Sequence, residues 1–111
     1  MSDSRLRIAH VSAALALHPQ TLRKYERAGL VKPARRGATR NYSDADLERL
    51  ALIKHMADVR RINVAGMSLI LAIRDELLAT IEAVEAASVE DAAAVAQDHL
   101  VALLAAYLAH E

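Results

Sequence analysis

A short helix bounded by Pro19 and Gly29 limits this chain more than any other feature. In HPQTLRKYERAGLVKP, residues 18–33, Pro19 suits a first helical position, where its missing N–H would have no partner, and His18 falls at the cap. Gly29 is well placed to end the helix through a left-handed turn, and Pro33 follows soon after. The spacing predicts a helix from about 19 to 28. With Leu22 facing a core, Gln20, Thr21, Arg23 and Lys24 are left outward. Arg and Gln can each bond base edges bidentately, Arg to guanine and Gln to adenine. The alternative is an ordinary solvated helix, which carries similar charges.

The neighbours of that helix give it a context. From Ile8 to Leu17 the apolar residues Ile8, Val11, Ala14, Leu15 and Leu17 have helical spacing. Two short helices joined by about three residues form a helix-turn-helix candidate. PARRGATRNY has strand-like ends and a Gly37 tip, as a small hairpin would. Its Arg35, Arg36, Arg40 and Tyr42 suit phosphate contact, with loop charge as the alternative for the arginines and packing for Tyr42. Tyr25 likewise has two readings, a core ring or a hydroxyl that reaches phosphate. Glu26 and Arg27 read as local salt-bridge partners. Ser43 with Asp46 resembles a capping box, opening a helix with the stripe Leu47, Leu50, Ile53 and Ala57.

Asn63 is a cap for a long helix from about 64 to 87, with the stripe Met67, Ile70, Ile73, Leu77, Ile81 and Val84. Ser88 and Asp91 restart a helix towards the C-terminus. It is apolar on more than one side, with Leu100, Leu103 and Tyr107 on one face and Val101, Leu104 and Leu108 on another. Such a helix must be covered from two directions. With no Phe or Trp and much alanine, a core at this length would be thin, so a homodimer is expected.

The formal net charge of zero conceals a split. Residues 1–61 hold 13 Lys and Arg against 6 Asp and Glu, a net of +7, whereas residues 62–111 hold Arg74 against 8 acids, a net of −7. The basic half is where a polyanion would bind. No run approaches about 18 uninterrupted apolar residues, and Ser2, Asp3, Ser4, Arg5 and Arg7 do not suit a signal peptide. No membrane association and a cytoplasmic location are therefore expected. Without cysteine, thiolate metal sites are excluded, and His10, His18, His55, His99 and His110 show no i, i+4 pair. No metal, cofactor or catalytic constellation is expected, so the chain does not read as an enzyme.

QTLRKYERAGLVKP, then Arg40 and Tyr42, then YSDADLERL resemble the N-terminal winged helix-turn-helix of MerR-type transcriptional regulators over about residues 6–75. The resemblance implies a mainly α fold. Residues 1–62 would form the winged helix-turn-helix DNA-binding domain, and 63–111 a helical dimerisation hairpin. It implies DNA contacts from the positions of Thr21, Arg23, Lys24 and Tyr25. It also implies a dimer that binds an inverted-repeat operator in double-stranded DNA. The dimer would be joined through Met67, Ile70, Ile73, Leu77, Ile81, Val84, Leu100 and Leu104. HPQTLR and INVAGMSLIL resemble the heat-shock repressor (HspR) branch, which implies a repressor of chaperone genes with a DnaK-type chaperone as co-repressor. Two departures stand out: Ala16 occupies a turn position usually held by Gly, and the wing is short and lacks paired glycines. Two alternatives stay open, a co-chaperone-binding modulator and an activator that responds to a small molecule.

Overall fold

The computed structural model describes residues 6–109; the signal-peptide reading at residues 2–5 and His110 lie outside them. Along the described residues run α1 (Ile8–Leu15), α2 (Pro19–Arg27), β1 (Ala34–Arg36), β2 (Thr39–Asn41), α3 (Asp44–Asp58), α4 (Val64–Ala86) and α5 (Val89–Ala109). The fold is mainly helical with one small antiparallel hairpin, as expected. The chain divides into two compact units, residues 1–67 and 68–111.

In the first unit, short-range signals set the element boundaries. α1 stops two residues before Leu17 because Ala16 adopts a left-handed conformation, φ 53° and ψ 45°. The Leu17 N–H then reaches back to the Ser12 carbonyl at 3.0 Å, and the Ser12 hydroxyl donates to the Leu17 carbonyl. An L-residue in this region carries strain that glycine avoids, about 1–2 kcal/mol. Glycine's greater freedom in the unfolded chain offsets part of that gain. Ala16→Gly is therefore expected to stabilise the protein by about 0.5–1 kcal/mol, measured by urea unfolding.

α2 begins as the sequence predicts. The Gln20 N–H donates to His18 Nδ1 at 3.0 Å, with Pro19 in the first turn. It ends in a Schellman motif: Leu30 N–H to Tyr25 carbonyl at 3.0 Å and Gly29 N–H to Glu26 carbonyl at 2.9 Å, with Gly29 at φ 76°. Leu30 is driven into the core by that turn. The wing pairs Ala34 with Asn41, Arg35 with Arg40 and Arg36 with Thr39, leaving Gly37 and Ala38 as the loop. Positive φ occurs at Gly37 and not at Ala38, the pattern of a type II′ turn, so a single glycine is enough. A further bridge joins Leu6 to Tyr42 through bonds of 2.7 and 2.9 Å, tying the segment before α1 to the end of the wing.

α3 opens with the full capping box: Ser43 Oγ accepts from Asp46 N–H at 3.1 Å, and Asp46 Oδ2 accepts from Ser43 N–H at 2.9 Å. It buries Leu50, Ile53 and Met56, whereas the expected Leu47 and Ala57 are only half-buried. α1 packs on both α2 and α3. The core of the unit holds Val11, Leu22, Tyr25, Leu30, Val31, Tyr42, Leu50, Ile53, Met56 and Met67. Asn63 Oδ1 caps α4 by accepting from Gly66 N–H at 2.8 Å.

The second unit is α4 from Ser68 onward, then α5. Ser88 Oγ accepts from Asp91 N–H at 3.3 Å and donates to the Asp91 carboxylate at 3.0 Å, which starts α5. His99 Nδ1 lies 3.4 Å from Glu76 Oε1 at matching distances from the turn at Ala87 and Ser88, so α5 returns antiparallel to α4. Among the described residues of this unit, Leu71 is the one fully buried apolar side chain, and α5 buries none. By length and composition alone α5 is long and apolar enough to cross a membrane. Its apolar run is interrupted by Gln97, Asp98 and His99, which is why counting uninterrupted residues did not select it.

Candidate nucleic-acid interface

α2 separates its residues by helical geometry. Leu22 and Tyr25 are buried, which fixes the inner side. Gln20, Lys24 and Arg27 are exposed and Arg23 half-buried. At about 100° per residue, these four lie within roughly 100° of the helix circumference. Thr21, also half-buried, lies on the other flank. Arg27 was read from sequence as a salt-bridge partner, but no described residue pairs with it. Its place on the outward face was legible all the same, since Gln20, Lys24 and Arg27 follow i, i+4, i+7 spacing.

Glu26 does form ion pairs, though not local ones. Its Oε1 accepts from Arg35 Nη2 at 2.6 Å, and its Oε2 accepts from Arg40 Nε. Burial opposes ionisation of this carboxyl. The hydrogen bonds and charges of Arg40 and Arg35 outweigh it and hold the group below the usual glutamate range. Arg36 faces the other way on the hairpin, exposed and without a described partner.

The two tyrosines sit inside. Tyr42 is completely buried, so its position favours packing over phosphate contact. Its hydroxyl has no hydrogen-bond partner among the described residues. Burial raises its pKa, with the Glu26 charge adding to the effect and Arg40 and Arg23 opposing it. The Tyr25 ring is likewise in the core, and its pKa is raised by burial and then by the Asp58 charge.

The residues expected to join two copies are also placed. Met67 is buried within the first unit, so it is not free to meet a partner. The first turn of α4 folds into that core. Ile70, Leu77, Ile81, Leu100 and Leu104 are exposed, and Ile73 and Val84 are half-buried. Leu78, Val101, Tyr107 and Leu108 add to the open apolar surface. Among the described residues no group of His, Asp or Glu could hold a metal ion.

A helix-turn-helix with a basic outward helix and a hairpin wing defines the winged helix-turn-helix class of protein. The family model for MerR helix-turn-helix regulatory proteins matches residues 6–72. The chain belongs to the MerR family of transcriptional regulators. It is 39% identical over 77 residues to a protein of Streptomyces coelicolor provisionally named heat shock protein HspR, covering 68% of this chain and 51% of that one. It is also 39% identical over 56 residues to a Haemophilus influenzae protein provisionally named a heavy metal-dependent transcriptional regulator, covering 49% and 44%. The chain spans about half the length of the curated relatives it matches. No solved structure matches it.

Proposed function

We propose that the chain is a homodimeric repressor of heat-shock or chaperone genes that binds an inverted-repeat operator. The outward face of α2 carries the reading: Gln20, Arg23, Lys24 and Arg27 stand together, and none of these cations is neutralised by a described side chain. Buried Leu22 and Tyr25 make the face rigid, as base readout in a major groove needs. Arg35, Arg36 and Arg40 on the wing take the flanking phosphates, which set register. Likeness to the Streptomyces protein supports the heat-shock assignment, and a DnaK-type chaperone as co-repressor belongs to the same proposal. The exposed stripe of α4 and α5 supports the dimer, since open apolar side chains on a lone helical pair favour a second copy. The protein then works in the cytoplasm without catalysis, and α5 is a packed helix.

Selection from a pool of random-sequence duplexes tests this reading. Enrichment of an inverted repeat is expected, and enrichment of none would refute it. If each protomer neutralises about four phosphates, log K against log salt should fall with a slope near −7, at roughly −0.9 per contact. A slope close to zero on the selected duplex would exclude the basic face as the contact surface.

A further inference from the structure

We infer that Glu26 is a positioning residue for sequence selectivity: its carboxylate bridges Arg35 and Arg40 and holds the wing in one place against α2. The inference rests on the DNA-binding reading above. The hairpin has three-residue strands, too short to hold a position by itself. Its register sets Arg35 directly opposite Arg40, and like charges so placed repel. The two carboxylate oxygens of Glu26 answer both cations at once, one oxygen to each. Because Glu26 lies on α2, the same contact that quiets the repulsion also ties the wing to the recognition helix.

The donors that remain matter as much as those used. Arg40 spends only Nε on Glu26, so both of its terminal nitrogens stay available, and Arg35 spends one Nη2 bond. A guanidinium has five N–H donors, so each arginine keeps enough to grip a phosphate in a fixed orientation. Glu26 also puts a negative charge in a basic surface, which lowers affinity for any DNA. Its two effects therefore have opposite signs. It weakens indiscriminate binding and sharpens binding to the one geometry the oriented wing fits.

The test compares the 111-residue chain with three variants on the duplex selected by the wild type and on a scrambled duplex of equal length. Glu26→Gln removes the charge and the bridge. Glu26→Asp keeps the charge but shortens the side chain, so it no longer spans both arginines. Glu48→Gln is the charge control, since Glu48 is an exposed residue on α3. For Glu26→Gln, binding to the scrambled duplex should rise about twofold to threefold at low salt. Its preference for the selected duplex should fall about tenfold, the worth of one well-placed contact. Glu26→Asp should lose about the same preference with scrambled binding unchanged. Glu48→Gln should raise scrambled binding and leave the preference intact.

A Glu26→Gln variant that behaves like Glu48→Gln would overturn the proposal. Failure of Glu26→Asp to fold, judged by its thermal melt, would make Glu26 a folding residue and overturn it too. A wild type that selects no duplex would instead refute the DNA-binding reading itself.

Discussion

Arg23→Ala is expected to cost about 1–3 kcal/mol for each half-site, and so about 2–6 kcal/mol for a dimer on an inverted repeat. That is a loss of roughly thirtyfold to twenty-thousandfold in affinity. Arg23 has no ion-pair partner among the described residues, so its truncation leaves no buried charge behind. Thermal stability should therefore change little, and the effect should appear in binding alone. Fluorescence anisotropy at fixed salt, on the selected and the scrambled duplex, makes the distinction. A loss confined to the selected duplex identifies Arg23 as a base reader. An equal loss on both would assign it to phosphate and move sequence readout to Gln20, Lys24 or Arg27.

The second large effect is on assembly. Leu77→Asp is expected to convert the proposed dimer to a monomer, as measured by sedimentation. Leu77 is about half exposed, so the substitution removes little from the interior of one chain. In a symmetric interface the same carboxylate enters twice. Each burial of an unpaired polar group costs about 2–3 kcal/mol, and two of them weaken association by roughly three to four orders of magnitude. Operator affinity should fall with it, because a single recognition helix reads only one half-site. The first unit should stay folded, since its core from Val11 to Met67 does not include Leu77. If Leu77→Asp sediments as the wild type does, the two copies meet through another surface, with α5 and its exposed Leu104 and Leu108 next in line.

The two units differ in what supports them. Residues 6–67 enclose a closed core of aliphatic side chains and two tyrosines, whereas the second unit buries Leu71 alone among its described large apolar residues. The basic half of the chain is thus the part that closes on itself. The acidic half leaves apolar side chains exposed, and the proposed dimer would gain about 25 cal/mol for each Å² of them removed from water. This agrees with the division of labour that the +7 and −7 charge split suggests.

The helix boundaries could be read from residues lying close together in the chain. His18 with Gln20, Gly29 with Glu26, Ser43 with Asp46, Asn63 with Gly66 and Ser88 with Asp91 each make their bond within three residues. Such bonds need no knowledge of the fold. The outward face of α2 was legible for the same reason, since helical period alone puts Gln20, Lys24 and Arg27 on one side. The stop at Ala16 was foreshadowed only as a missing glycine. The sequence could not say whether the turn would be remade or strained, and the backbone keeps the left-handed angle on alanine.

Contacts between distant residues were decided by the tertiary structure. Glu26 meets Arg35 and Arg40 across 9 and 14 positions, Leu6 pairs with Tyr42, and Arg49 Nε donates to the Leu30 carbonyl 19 residues back. Composition showed many arginines near one glutamate but not which of them would share it. Tyr42 was open between phosphate and core until the bridge to Leu6 and the turn at Gly37 set its ring inside. Short-range order follows from backbone bonds that each residue makes with near neighbours. The partner of a long side chain depends on which elements the folded core brings side by side.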